Sequence, residues 1–114
     1  MRNSGAGVTN ILFVCSRNQL RSPTAEQVFA TRPGVEVLSA GTDHDADTPF
    51  TPDLIEWADL IFVMERMHRA KLQTRFKSSL KNARVICLNI PDQYKFMDPE
   101  LVRLLEAKVS PYLR

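Results

Sequence analysis

The sequence predicts an α/β fold, a single doubly wound domain with a four-stranded parallel sheet in the flavodoxin-like order 2-1-3-4 and helices on both faces. Its apolar runs are short and lack polar alternation, which is typical of parallel strands, and helix signals follow them. A length of 114 residues with 44% hydrophobic and 25% charged content is that of one globular domain. No apolar run approaches the roughly 20 residues of a membrane span, so no membrane partner is expected.

The first strand is predicted at residues 8–14, after a polar stretch at 1–7 that we interpret as a flexible tail rather than a signal peptide. The strand leads directly into the segment Cys15-Ser16-Arg17-Asn18-Gln19-Leu20-Arg21-Ser22. Ser22 is predicted to cap the next helix, with Pro23 at the first helical position. Backbone N–H groups converge in a loop between a strand and a helix N-terminus, so this segment is predicted to bind an anion.

The same segment carries the groups that phosphoryl transfer needs. Amide dipoles and a nearby cation favour the thiolate form of a cysteine, which is its nucleophilic form. Arg21 can supply that cation and grip two oxygens of a phosphate, while Ser22 can hydrogen-bond the sulfur of Cys15. The alternative is that Cys15 is a small core residue, which leaves Asn18, Arg21 and Ser22 unexplained.

The longer string from Ile11 to Glu26, ILFVCSRNQLRSPTAE, resembles the low-molecular-weight protein tyrosine phosphatases. In that family a Cys-x5-Arg-Ser loop binds phosphate, an Asn follows the Cys three residues later, and Ser-Pro-x-Ala-Glu closes the motif. The matching positions are Cys15, Asn18, Arg21, Ser22, Pro23, Ala25 and Glu26. The resemblance implies that Cys15 and Arg21 are catalytic. It implies a substrate-binding loop made of Ser16, Arg17, Asn18, Gln19, Leu20 and Ser22.

The second strand is predicted at residues 35–38 and ends in Ser39-Ala-Gly-Thr, a tetrapeptide type that follows the second strand in that family. Ser39 is interpreted either as a hydroxyl that supports the phosphate loop or as part of a plain turn. An acidic loop at 43–52 follows, and then a short helix capped by Thr51. The family's longer insertion with its His-x-Ala-Arg stretch is missing here, so we predict a smaller substrate rim.

The third strand is predicted at residues 58–64 and a helix at 66–76. From residue 66 to 84 the chain carries basic residues and no acidic ones, namely Arg66, Arg69, Lys71, Arg75, Lys77, Lys81 and Arg84. A solvated helix face is the favoured interpretation, and a surface for nucleic acid or another anionic partner is the alternative. His68 within this segment and His44 in the acidic loop are interpreted as surface residues.

The fourth strand is predicted at residues 84–90, with Cys87 in the core; a redox or resolving thiol is the alternative. In the absence of an export signal, Cys87 and Cys15 are expected to be reduced thiols in the cytoplasm. A last helix is predicted to begin at Asp98 and to run almost to Arg114.

Two aspartates compete for the role of the general acid that protonates the leaving group. Asp98 precedes Pro99 and Glu100, so helix capping explains it fully. Asp92 has no evident structural role, and Asp92-Gln-Tyr94 keeps the acid and the aromatic of the family's Asp-Pro-Tyr, so Asp92 is the favoured acid. Aromatic side chains predicted to wall the substrate pocket, or else to anchor their loops, are Tyr94, Phe96 and Phe50.

The sequence therefore predicts a cysteine-dependent phosphomonoester hydrolase that acts through a Cys15 thiophosphate. The resemblance implies a phosphotyrosine protein as the substrate, and a small phosphomonoester is the alternative. No cofactor or metal is expected, because Arg21 and the loop amides neutralise the phosphate charge. The alternatives are an arsenate reductase, a phosphatase of nucleotides or RNA ends, and a phospho-ligand binding module without catalysis. The oligomeric state is open.

Overall fold

Four parallel strands form one sheet in the order β2-β1-β3-β4, as predicted. A computed structural model describes residues 8–80 and 83–113. The strands are β1 (Thr9–Cys15), β2 (Val35–Gly41), β3 (Leu60–Val63) and β4 (Arg84–Cys87). The helices are α1 (Arg21–Phe29), α2 (Pro52–Trp57), α3 (Arg66–Arg75) and α4 (Pro99–Val109). The predicted tail at residues 1–7 lies outside the described residues.

Helices cover both faces of the sheet, and β1 lies at its centre. On one face Phe13 stacks on Phe29 of α1 and Phe62 of β3, with ring centroids 5.7 and 5.4 Å apart. On the other face Leu12 and Val14 pack in a second cluster with residues of α2 and α3. Burial on both faces explains why the central strands β1 and β3 lack polar alternation. No helix in residues 8–80 and 83–113 is long and apolar enough to cross a membrane.

Two strands differ from the prediction by three residues at their carboxyl ends, next to the candidate site. β2 continues to Gly41, whereas β4 ends at Cys87 rather than at residue 90. Cys87 was predicted to lie in the core, and this is wrong, because its side chain is half-buried and its Sγ lies 3.4 Å from Asn89 Oδ1. β4 is an edge strand, so a side chain on it has a neighbouring strand on one side alone.

The helix starts agree with the prediction in two helices and differ in a third. Thr51 Oγ1 accepts the Leu54 N–H at the start of α2, and Asp98 Oδ1 accepts the Glu100 N–H at the start of α4. Ser22 was predicted to cap α1, and this is wrong, because α1 already begins at Arg21. Ser22 lies in the first turn, where its hydroxyl bonds other side chains instead of capping the helix.

Gly41 marks a close approach between β2 and the segment that follows β1. A Cβ atom at this position would lie 2.5 Å from the Ser16 carbonyl oxygen and 2.5 Å from Ala46 Cβ. One of those contacts is with backbone, which cannot move aside as the end of a flexible side chain can. The absence of a side chain at residue 41 therefore sets how tightly the chain packs here.

The substitution Gly41→Ala is expected to lower the free energy of unfolding by about 1–3 kcal/mol, because the added methyl overpacks this contact. Urea unfolding at neutral pH measures the change. Asp45→Ala in the following loop is the control, since Asp45 is exposed and its truncation is expected to change stability by less than about 0.5 kcal/mol. Equal midpoints for Gly41→Ala and wild type would contradict the packing argument.

Candidate active site

The segment of residues 15–22, here called the 15–22 loop, leaves β1 at the carboxyl edge of the sheet and enters α1. Backbone N–H groups of the next loop hold its carbonyl oxygens. Thr42 donates to Cys15 O and Asp43 to Ser16 O, both over 2.9 Å, and Asp47 donates to Arg17 O over 3.1 Å. Because the carbonyl oxygens point to this outer side, the N–H groups of the loop point to its inner side. This is the arrangement of an anion-binding loop.

The thiol of Cys15 lies buried at the base of this loop. Its Sγ is 2.9 Å from Ser22 Oγ and accepts the Asn18 backbone N–H over 3.3 Å. Asn18 has a φ of 59°, the left-handed conformation that turns its N–H inward, and its Oδ1 accepts the Ser22 hydroxyl over 2.9 Å. A hydroxyl has one proton, so Ser22 can give it to Asn18 while the thiol is protonated and to the sulfur once a thiolate forms.

Arg21 is a buried cation at the same edge of the sheet. Its Nη1 donates to Glu65 Oε2 over 2.6 Å and to the Ile90 carbonyl oxygen over 2.7 Å. Its Nε lies 3.7 Å from Asp92 Oδ1, which is an ion pair rather than a hydrogen bond. Two bonds at Nη1 fix the plane of the guanidinium, so Arg21 presents its charge in a set direction.

A small cavity opens over Cys15. Its lining residues are Cys15, Ser16, Arg17, Gln19, Leu20, Arg21 and Asp92. The structure therefore brings the predicted nucleophile, cation and acid together around one space. The Asp92 side chain is 63% exposed, so it can exchange protons with water. Asp98 caps α4 instead and is not among the lining residues.

The predicted aromatic walls do not line this cavity. Tyr94, a predicted substrate-binding residue, packs partly buried against the core cluster of β1 and α4, and its hydroxyl lies 3.4 Å from Gln93 Nε2. Phe50 is buried edge-on against Phe76, with ring centroids 5.7 Å apart. Phe96 is exposed and also outside the lining. The alternative interpretation of these aromatics as loop anchors fits Tyr94 and Phe50, whose surroundings are apolar.

Ser39 does not bond the 15–22 loop directly. Its hydroxyl donates to Glu26 Oε1 over 2.5 Å, which ties β2 to α1. Glu26 closes the sequence motif, so this bond gives the motif glutamate a structural partner. Support for the loop from Ser39 would pass through α1 rather than through a contact of its own.

His68 was predicted to lie on the surface, and this is wrong, because its side chain is fully buried. The Glu65 backbone N–H donates to its Nδ1 over 3.0 Å, and its Nε2 lies 2.9 Å from Ser16 Oγ. Since Nδ1 accepts, a neutral ring carries its proton on Nε2 and donates it to Ser16. The hydroxyl proton of Ser16 is then free to point elsewhere, and Ser16 lines the cavity over Cys15.

Of the two contacts of His68, the sequence could have indicated only the one with Glu65. Glu65 and His68 are three residues apart at a helix start, the spacing of a capping box, and the His68 ring accepts the Glu65 N–H as in such a box. That spacing could have placed the start of α3. The bond to Ser16 joins residues 52 positions apart, and no local pattern encodes it. His44, the other histidine, is exposed as predicted.

The neutral state of His68 has a clear physical cause. Burial, and then the neighbouring Arg21 guanidinium, lower the pKa of His68 from 6.5 to about 4. Glu65 and Asp43 oppose this shift, while Lys71 adds to it. The ring therefore stays uncharged at physiological pH, which the two hydrogen bonds require.

Comparison with known proteins gives matches to phosphatases. The family model for low molecular weight phosphotyrosine protein phosphatase matches residues 10–58, which include the 15–22 loop. A curated relative, a protein-arginine-phosphatase from Bacillus subtilis, is 33% identical over 94 residues. That alignment covers 59% of this chain and 63% of the relative, so the chain spans less than two thirds of the relative's length.

Solved structures share the whole fold. The tyrosine phosphatase Wzb from Escherichia coli K30, in complex with phosphate, is 25% identical with a TM-score of 0.73, covering 91% of this chain and 95% of that chain. A mutant of the YwlE arginine phosphatase, which carries a phosphorylated active-site serine, is 25% identical with a TM-score of 0.71. That alignment covers 92% of this chain and 95% of the mutant.

The position of the His68 pKa gives a prediction for stability. Between pH 6.5 and pH 4 the unfolded chain takes up a proton at this residue that the folded chain does not, so the free energy of unfolding falls as pH falls. His68→Gln removes the titrating ring and keeps an amide N–H that can reach Ser16. The loss of stability from pH 7.5 to pH 4.5 is expected to be smaller in this variant than in wild type by about 2–3 kcal/mol.

Urea unfolding at the two pH values measures this difference. His44→Gln is the matched control, because the exposed His44 should leave the pH dependence of wild type unchanged. The same pH dependence in wild type and His68→Gln would show that His68 is not held neutral by its surroundings.

Proposed function

We propose that the chain is a metal-independent cysteine phosphatase of the low molecular weight phosphotyrosine protein phosphatase family, acting on phosphorylated protein side chains. The observation that carries the proposal is the position of Cys15. Its sulfur is bonded to Ser22 and to the Asn18 N–H, and it faces a cavity that Arg21 and Asp92 also line. A nucleophile, a buried cation and an accessible acid then meet where a phosphate would bind.

In the first step the Cys15 thiolate attacks phosphorus, so an S–P bond forms as the P–O bond to the leaving group breaks. Arg21 and the loop amides hold the oxygens on which charge accumulates. Asp92 lies near Arg21 Nε, so a bound phosphate competes with its carboxylate for the guanidinium. The displaced Asp92, which is open to solvent, takes up a proton from water and donates it to the leaving oxygen.

In the second step water hydrolyses the phosphocysteine. Asp92, now a carboxylate, takes a proton from the water as its oxygen bonds to phosphorus, and the S–P bond breaks. The Ser22 hydroxyl bonds the departing thiolate, for which its 2.9 Å contact with Sγ is already in place. The phosphorylated active-site serine of the YwlE mutant supports a covalent phosphoenzyme at this position in the fold.

We propose tyrosine phosphate as the substrate group, and the family description and the likeness to Wzb support it. Arginine phosphate is the second candidate, since the curated relative is a protein-arginine-phosphatase. One observation favours it: among the described residues the cavity over Cys15 has no aromatic wall, and it holds Asp92, which could face a guanidinium. Arsenate reduction has less support, because Cys87 lines a different groove.

A reducing compartment follows from the proposed chemistry, because a disulfide at Cys15 would remove the nucleophile. Both cysteines are free thiols in the structure. We infer the cytoplasm as the site of action on this ground.

Hydrolysis of p-nitrophenyl phosphate in EDTA tests the proposed reaction. Wild type is expected to turn over and to give a burst of product, and Cys15→Ser to lose both, because the S–P bond cannot form. Asp92→Asn is expected to lower kcat by roughly 10²–10⁴, since the leaving group departs without a proton. Asp98→Asn is the matched control, because Asn also caps a helix.

Two results would overturn parts of this scheme. Activity that requires a metal and survives Cys15→Ser would exclude the cysteine mechanism. A loss in Asp98→Asn with normal Asp92→Asn activity would make Asp98 the general acid. No turnover by folded, reduced wild type that still binds phosphate would favour the non-catalytic binding module.

The substrate group is tested with two peptides of one sequence, phosphorylated either on tyrosine or on arginine, at neutral pH. Release of inorganic phosphate gives kcat/KM for each. We expect the larger value for the tyrosine peptide, and the opposite order would assign arginine phosphate to this chain. Cys15→Ser is the control for spontaneous loss of the labile arginine phosphate.

A further inference from the structure

A groove with three arginines runs along the free edge of the sheet, between α3 and β4. Its α3 wall carries Arg66 and Arg69, and its β4 wall carries Arg84 and Cys87. Tyr112, half-exposed near the carboxyl terminus, closes one side. This groove shares no residue with the cavity over Cys15.

In the described part of the chain, the three arginines lack anionic partners. Within residues 8–80 and 83–113 none of Arg66, Arg69 and Arg84 is within 4.0 Å of a carboxylate oxygen, whereas Arg21 and Arg103 both are. Arg69 Nη2 donates to the Val85 carbonyl oxygen over 3.1 Å, and the Arg84 guanidinium lies 5.3 Å from the Tyr112 ring centroid. Three cations that converge without a counter-charge fit an anionic occupant.

Each wall of the groove begins next to a residue that accepts a hydrogen bond from Arg21. Arg66 directly follows Glu65, whose carboxylate accepts from Arg21. Asn89 lines the groove and directly precedes Ile90, whose carbonyl also accepts from Arg21. The chain then reaches Asp92 in the cavity wall two residues later. The groove therefore begins at the same carboxyl edge of the sheet as the candidate active site.

Two other basic side chains of α3 bond the segment that follows β2 and do not line the groove. Lys71 Nζ lies 3.7 Å from Asp43 Oδ1, and Arg75 donates to the Thr42 carbonyl oxygen. Among the described residues the arginine groove is thus a short patch, and an acidic loop borders the opposite side of the site. A polynucleotide needs a longer basic track, whereas planar guanidinium groups pair with the carboxylates of a short acidic peptide.

We propose that this arginine groove binds an acidic stretch of the phosphorylated protein substrate while the phosphorylated side chain occupies the cavity over Cys15. The proposal rests on the proposed function and adds a substrate preference to it. β4 is 4 residues long, and an extended chain advances about 3.3 Å per residue, so the groove accommodates roughly three or four substrate residues.

The test compares phosphotyrosine peptides that differ only in a flanking triplet, three glutamates against three serines, placed on either side of the phosphotyrosine. Wild type is expected to show a kcat/KM roughly tenfold higher for an acidic peptide, mainly through KM, because a few exposed ion pairs contribute modestly each. The preference should shrink as salt rises. The double variant Arg66→Glu/Arg84→Glu should lose it and keep wild-type activity on p-nitrophenyl phosphate.

Arg103→Glu is the matched control, since Arg103 is an exposed arginine on α4 outside the groove, and it should keep the preference. Equal kcat/KM for acidic and neutral peptides, with p-nitrophenyl phosphate still hydrolysed, would overturn the groove proposal and leave the phosphatase proposal standing. A loss of preference in Arg103→Glu as large as in the groove variant would overturn it as well.

A binding measurement tests the groove proposal without depending on catalytic turnover. In the Cys15→Ser protein, fluorescence anisotropy of the labelled acidic phosphopeptide should show a Kd roughly tenfold higher when the two groove arginines are replaced by glutamate. An unchanged Kd would overturn the proposal. A labelled single-stranded RNA that binds more tightly than the peptide, and loses that binding in the same variant, would assign the groove to nucleic acid instead.

Discussion

The buried guanidinium of Arg21 is the interaction on which the site depends. A charge taken out of water is costly unless it is paired, and Arg21 is paired with Glu65 and with the Ile90 carbonyl. These partners lie 44 and 69 residues away along the chain. One cation therefore joins the start of α1 to the carboxyl ends of β3 and β4. The sheet order β2-β1-β3-β4 places those ends side by side, so the fold itself assembles the pairing.

Around Arg21 the 15–22 loop keeps its shape through contacts on its outer side. Backbone N–H groups of residues 42, 43 and 47 bind its carbonyls, and the missing side chain of Gly41 permits this close approach. Ser22 holds the Asn18 amide, a contact within the loop itself. The loop thus retains a left-handed asparagine, and much of the support for this loop comes from backbone.

The fold and the centre of the site could be predicted from the sequence because local patterns encode them. The residues around the centre could not, because contacts between distant segments place them. The local patterns are the buried strands, the helix caps at Thr51 and Asp98, and the spacing from Cys15 to Arg21. Tyr94, Cys87 and His68 were misplaced because their environments depend on contacts between distant segments. An aromatic in a loop packs on whatever apolar surface the fold brings near it, and the exposure of Cys87 follows from the place of β4 at the edge of the sheet.

His68 shows how such a distant contact constrains the charge of the site. Its Nδ1 accepts from the Glu65 backbone while the Glu65 carboxylate accepts from Arg21, so one residue orients both the imidazole and the cation. A protonated ring would turn an N–H toward the Glu65 N–H and break that bond. It would also place a second buried positive charge near Arg21. Burial, and then this repulsion, lower the pKa of His68 to about 4. A neutral His68 leaves Arg21 as the buried positive charge at the 15–22 loop, and a phosphate in the cavity is then drawn toward Arg21.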